Sequence, residues 1–267
     1  MNAATRIAPT ALVTLLTGVA LWHGPIAQLP DYHAFADVSV VYGIPHFADV
    51  VSNAGFALVA LWAAFRLPRV CTHRSLVNGW AGYRLFLIGL VLTAFGSAWY
   101  HLAPDNARLV WDRLPITLAC GGLLAGVWGD VRGESSAVLA AWMAALGVYS
   151  VAWWYLSEIA GQGDLRFYLL LQILPMLLIP LWQWLYRAPL ADRLSFSAAL
   201  LLYAAAKLTE INDHQIAEAL GVVTGHTLKH LLATGAAAVI VGRLVCRVCL
   251  GKKTVQICVI DQSQQHK

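Results

Sequence analysis

Five residues in three short stretches have the types and spacings that catalysis needs. Ser97 and His101 stand four apart in Gly96-Ser97-Ala98-Trp99-Tyr100-His101. Asp112 follows in Trp111-Asp112-Arg113-Leu114-Pro115. His226 and His230 stand four apart in Gly225-His226-Thr227-Leu228-Lys229-His230. Residues four apart share one face of a helix. His226 and His230 therefore point two imidazoles the same way, the spacing by which one helix serves one metal ion. With His101 they make three. Three His ligands and an open fourth position are how catalytic zinc is held. A carboxylate and a hydroxyl beside it orient a water and carry its proton. Taken singly, each has a plainer reading. A lone His near a membrane interface is commonly a polar contact, and Asp112 with Arg113 makes an interfacial pair. Two imidazoles on separate helices would also suit a haem iron, so a di-histidine haem protein stands as an alternative.

Membrane-crossing elements must position these groups. The chain has 267 residues, of which 59% are hydrophobic and 12% charged. An average soluble domain has about 25% charged residues, so disorder, a coiled coil and an ordinary soluble enzyme are excluded. No Asp, Glu, Lys or Arg occurs in 7–30, 85–104, 114–129, 135–157 or 167–186. Each run approaches the ~17–25 residues that cross a bilayer, where the backbone must bond to itself as helix. The expected fold is all-α, a polytopic membrane bundle of seven core helices plus one extra N-terminal transmembrane helix. Spans are expected near 7–24, 46–65, 83–101, 110–129, 135–157, 166–186, 193–209 and 222–245. Pro104 should end the third. Arg6 followed by apolar 7–22 also has the form of a signal peptide, but no clean cleavage site follows, so a retained helix is expected. The division is then 1–45 (first helix and outer loop), 46–250 (seven-helix domain) and 251–267 (a polar, loose cytoplasmic tail).

Charge sets the orientation. With loops 66–83, 130–134 and 187–193 and both termini on one side, that side carries 13 of the 18 basic residues and four of the 14 acids (Asp130, Glu134, Asp192, Asp261). Basic loops stay cytoplasmic, so the three clusters lie toward the periplasm or a lumen. Cys71, Cys246, Cys249 and Cys258 then face a reducing compartment, and disulfides are not expected. Cys246-x-x-Cys249 lacks a second pair and reads as helix packing. The remaining histidines, His23, His33, His46, His73, His214 and His266, read as solvated or interfacial, and Glu210, Asp213 and His214 have no assigned part. A net charge of +4 is too small to imply nucleic acid.

The pattern Ser97-x3-His101, Asp112, His226-x3-His230 resembles the alkaline ceramidase family, within the seven-helix membrane hydrolases that include the adiponectin receptors. Ser52-Asn53, early in the first core helix, and Gly225 before the last pair fit as well. The resemblance covers about 46–245. It implies that His101, His226 and His230 bind zinc, and that Ser97 and Asp112 act on the attacking water. The implied activity is hydrolysis of a ceramide-like lipid to a fatty acid and a sphingoid base. A receptor with weak hydrolase activity is the related alternative. The family's acidic calcium pattern is matched only at Asp31 and the aromatic after it. Calcium prefers six to eight oxygens, so Asp31, Asp37 and Asp49 make an incomplete calcium set.

Overall fold

A computed structural model describes residues 3–67, 75–221 and 223–264. Arg69, Cys71, His73, Arg74, His266 and Lys267 lie outside the described residues. The chain is all-α. Its helices are α1 (Ala3–His23), α2 (Phe47–Ser52), α3 (Ala54–Arg66), α4 (Trp80–Leu102), α5 (Asn106–Arg132), α6 (Ala137–Ile159), α7 (Arg166–Leu185), α8 (Leu190–Ile211), α9 (Asp213–Leu220) and α10 (Gly225–Gln264). A two-residue hairpin pairs β1 (Val40–Val41) with β2 (Ile44–Pro45). With α2 and α3 taken together, seven helices among the described residues are long and apolar enough to cross a membrane. A shorter apolar stretch, Ile7–His23, lies within α1. The protein is an integral, multi-pass membrane bundle.

Four boundaries differ from the sequence expectation. The span expected over 46–65 is broken at Asn53, between α2 and α3. There the Ser52 hydroxyl (3.0 Å) and the Asn53 amide (2.8 Å) both donate to the Asp49 carbonyl. Side chains that bond to nearby backbone compete with the helix ladder. The fourth span begins at Asn106 rather than 110, because Asp105 accepts from the Arg108 N–H at 2.7 Å and caps the helix. The short helix α9 fills a stretch read as loop. The last helix runs on to Gln264 instead of ending near 245, so the tail expected to be loose is helical for most of its length. Only Gly225–Cys249 of it meets the membrane-crossing criteria.

The helices α4 and α5 pack most closely. Gly82 and Gly89 of α4 recur at one face, opposite Gly122 and Gly126 of α5. A methyl group at Gly82 would overlap the Gly126 backbone, and one at Gly122 would overlap the backbone N of Phe86. Small residues let membrane helices approach to backbone contact. At one end of the bundle, ion pairs tie α10 to its neighbours: Arg247 with Asp130 of α5, and Arg243 Nε with Asp192 Oδ1 of α8 at 2.7 Å. The site lies at the other end, where α4 finishes and α5 starts.

A strap formed by residues 24–45 crosses that site end. Its start is pinned to the α6–α7 turn by Asp164, whose carboxylate accepts from the Ile26 N–H (3.3 Å), the Trp153 indole (2.9 Å) and the Arg166 guanidinium (2.8 Å). Burial pushes the Asp164 carboxyl up, but these hydrogen bonds outweigh it and hold it down at about 2. A carboxyl with a depressed folded pKa adds stability above its unfolded value of ~3.9, and that stability fades as pH falls through the folded value. Thermal unfolding in detergent should therefore show wild type losing its advantage over Asp164→Asn between about pH 4 and pH 2. A constant difference across that window would contradict this account.

Candidate metal centre

Two helices bring the three imidazoles together. His101 sits in the last turn of α4, and His226 and His230 in the first two turns of α10. All three are buried, and one ligand atom from each lies within 4.8 Å of the others. Ring centroids are 4.8 Å apart for His101–His226, 5.1 Å for His101–His230 and 4.8 Å for His226–His230. Nitrogens each ~2.1 Å from one zinc stand at most ~4.2 Å apart, so small side-chain adjustments complete a ligand set. Both ring nitrogens of His101 are buried without a hydrogen-bond partner. Buried polar atoms are rarely left so, and a cation between the rings would supply what His101 lacks. Among the described residues, no other trio of His, Cys, Asp or Glu meets the same criterion.

Local sequence explains the convergence. Pro115 has no N–H to donate to the carbonyl four residues back, which is that of Trp111. Gly96 of α4 lies against that carbonyl, where any side chain would collide with it. This close approach sets Ser97 and His101 of α4 beside the second turn of α5, which carries Asp112. Gly225 does the same for α10: a Cβ there would overlap the Thr209 carbonyl and the Asp213 backbone. Asp213 opens α9, accepts from the His226 N–H at 2.7 Å and fixes the start of α10. A carboxylate is favoured at a helix N-terminus.

His230 is oriented from the break in the first core span. The Ser52 hydroxyl donates to the Asp49 carbonyl at 3.0 Å and meets His230 Nδ1 at 2.8 Å, and the Asn53 amide nitrogen is 3.4 Å from the same Nδ1. With Nδ1 engaged, Nε2 is the nitrogen left to face an ion. Partners of this kind typically contribute ~10–100-fold to metal affinity. Ser52→Ala should weaken metal binding by about that factor in a chelator competition, and unchanged affinity would remove Ser52 from the site.

The strap lies directly on the imidazoles. The Phe35 ring is 4.7 Å from His101 and 4.5 Å from His226, centroid to centroid. It is held there by His33, which bonds the Tyr100 hydroxyl (2.8 Å) and Asn106 Oδ1 (2.9 Å), and by the Ala36 N–H, which donates to Asp213 Oδ2 at 2.9 Å. His214 reaches the Ala34 carbonyl at 3.0 Å. His33 and His214, read as interfacial from the sequence, thus fasten the strap.

Ser97 is 1% exposed and Asp112 5%. Together with His230 they line one cavity of about 1320 Å³, counting its open mouth. Its remaining wall is largely apolar, including Phe56, Phe86, Leu90, Ile179 and Ile240. Ser97 to Phe86 spans 11 residues of α4, roughly 16 Å of helix, so the cavity reaches well into the bundle. Lys207, Glu210 and Lys229 also line it, and the sequence reading gave none of them a role.

The three aspartates considered for calcium do not form one set. Asp31 is exposed. Asp37 is buried, and its oxygens accept from Ser39 and from the Asp49 N–H at 3.0 Å. Burial pushes the Asp37 carboxyl up, and these bonds more than offset it, leaving it below the ordinary aspartate value. Asp49 Oδ1 accepts from the Thr227 hydroxyl at 2.6 Å. Asp49 Oδ2 is buried without a partner. Cys120, Cys246 and Cys249 are free thiols.

No family model matches the chain, and neither a curated protein nor a solved structure matches it significantly. What is established is a membrane helical protein with a buried three-histidine cluster able to bind a metal ion.

Proposed function

We propose that the chain is a zinc-dependent amidase of the alkaline ceramidase type. It hydrolyses the N-acyl bond of ceramide or a related lipid to a fatty acid and a sphingoid base. One juxtaposition carries the reading: three buried imidazoles able to hold one ion, beside a deep apolar cavity whose lining includes Ser97, Asp112 and His230. Bound there, zinc would polarise the acyl carbonyl and make water acidic near neutral pH. Asp112 accepts the proton of the attacking water on its carboxylate and passes it to the departing amine nitrogen. The Ser97 hydroxyl donates to the oxyanion that develops on the acyl carbon. Phe35 shields the imidazoles from bulk water. The apolar wall takes the acyl chain. The distribution of basic residues puts both termini in the cytoplasm and the site toward the periplasm or a lumen.

The haem alternative fits the packing less well. A porphyrin needs a flat slot between its two axial imidazoles, and here the rings meet edge to face with Phe35 against two of them. Purified protein should be colourless, whereas a haem protein shows a Soret band.

Lipidomics of vesicles incubated with wild type and with His226→Ala tests the proposal. Wild type should consume ceramide and release fatty acid and sphingoid base in equal amounts, and the variant should do neither. Undiminished hydrolysis by metal-free His226→Ala would falsify it. A slow but metal-dependent turnover would favour the receptor with weak hydrolase activity.

A further inference from the structure

Lys207, Glu210 and Lys229 form a charged triad on the wall of the same cavity. Glu210 sits between two ammonium groups. Its Oε2 accepts from Lys207 Nζ at 2.7 Å, and its Oε1 pairs with Lys229 Nζ at 2.6 Å. Lys229 Nζ is also 3.3 Å from His226 Nε2, so the triad stands at the level of the imidazoles. Lys207 and Glu210 belong to α8 and Lys229 to α10, so this is more than an i,i+3 pair at a helix end. The side chains of Glu210 and Lys229 are 19% and 14% exposed, that of Lys207 41%.

One lysine would neutralise Glu210, so the second is surplus. Lysine within a span is costly and is a functional residue by default. Among the described residues, Asp112 is the one other Asp, Glu, Lys or Arg that lines the cavity. Imidazoles that ligate a metal are neutral. A divalent ion adds two positive charges beside an apolar chamber, and the carboxylates nearest the imidazoles, Asp49 and Asp213, do not line that chamber. An ammonium has three donors, and Lys207 uses one of them on Glu210. The apolar floor at Phe86, Leu90 and Ile240 suits the acyl chain. With the acyl chain on that floor, an anion that meets the lysines beside the imidazoles belongs to the amine half of the substrate.

We propose that the preferred substrate is a lipid amide whose amine half carries an anionic group, a carboxylate or a phosphate close to the amide, held by Lys207 and Lys229. This rests on the amidase reading and specifies its substrate class. The step is plain hydrolysis. The C–N bond breaks, the oxygen of water joins the acyl carbon, and a proton goes to the amine. The products are a fatty acid and an amino acid or amino phosphate, with no oxidant or reductant involved.

The test uses full-length, metal-loaded protein in a non-ionic detergent and three amides of one chain length. N-oleoylglycine carries a carboxylate, N-oleoyl-O-phosphoethanolamine a phosphate, and N-oleoylethanolamine no charge. Calorimetry gives Kd, and product release gives kcat/KM. At least one anionic amide should bind about tenfold tighter than the neutral one, a difference of ~1.4 kcal/mol, and comparing the two identifies the anion. Lys207→Met should erase most of that preference, and Lys207→Arg should retain it. Should Lys207→Met fail to fold, Glu210→Gln tests the same point in the other direction, because removing the competing carboxylate should raise the preference. Equal affinities for all three amides in wild type would overturn the proposal, as would a preference that survives Lys207→Met or falls in Glu210→Gln. Anion-selective binding with no hydrolysis of any amide would support the anion site and defeat the amidase reading alone.

Discussion

His101→Ala is expected to purify without stoichiometric metal, and its melting temperature should no longer respond to a chelator. Wild type should lose both its metal and several degrees of melting temperature under the same treatment. The argument starts from the two nitrogens of His101, buried with no hydrogen-bond partner. An unsatisfied buried polar group costs ~1–3 kcal/mol. An ion held at 1,000 times its Kd stabilises the folded state by ~4.1 kcal/mol. In wild type, chelation removes the second contribution and restores the first penalty. In the variant neither exists, although contacts of the His101 ring with Phe35 and Tyr100 are also lost, so its starting stability is lower. The comparison that decides is the chelator-induced difference within each protein. A wild type that is metal-free as purified and indifferent to chelator and to added zinc would end the metal reading.

The second large effect is on Asp112. Asp112→Asn conserves shape and should leave the three imidazoles and their metal untouched. It removes the group proposed to accept and return the proton, a role that typically contributes ~10²–10⁴-fold. Lipid-amide hydrolysis should fall by that factor while elemental analysis still gives one metal per chain. Ser97→Ala, which removes one oxyanion donor, should cost ~10²–10³-fold. Loss of metal in Asp112→Asn would instead make this carboxylate a structural support of the site. Near-wild-type turnover would exclude it as the proton carrier.

The parts of this molecule legible in its sequence are those set by one helix at a time. Charge-free runs gave the spans to within a few residues, because hydrocarbon penalises each charge locally. The i,i+4 spacing of His226 and His230 was visible for the same reason, and His101 stood out among the imidazoles at outer helix ends because Ser97 lies four residues before it. What stayed hidden depends on contacts between elements. The break at Asn53 comes from two side chains competing for one carbonyl, which hydropathy does not register. The α9 helix is short and polar enough to pass for a loop. Glu210 had no assigned part, because nothing local revealed that Lys207 holds one of its oxygens and Lys229, on another helix, the second. Phe35 lies 66 positions from His101 in the chain, and no periodicity links the two. The neighbouring Gly96 and Pro115 were a readable hint: a glycine before Ser97 and a proline just after Asp112 mark helices meant to touch.

Asp213 grips two places at once, with one oxygen on the amide of Ala36 and the other on the amide of His226. A single carboxylate is thus both the clasp of the cover and the anchor of a coordinating side chain. The placing of Phe35 over the imidazoles and the placing of His226 are therefore joined through one side chain, and a change at this position would alter both together.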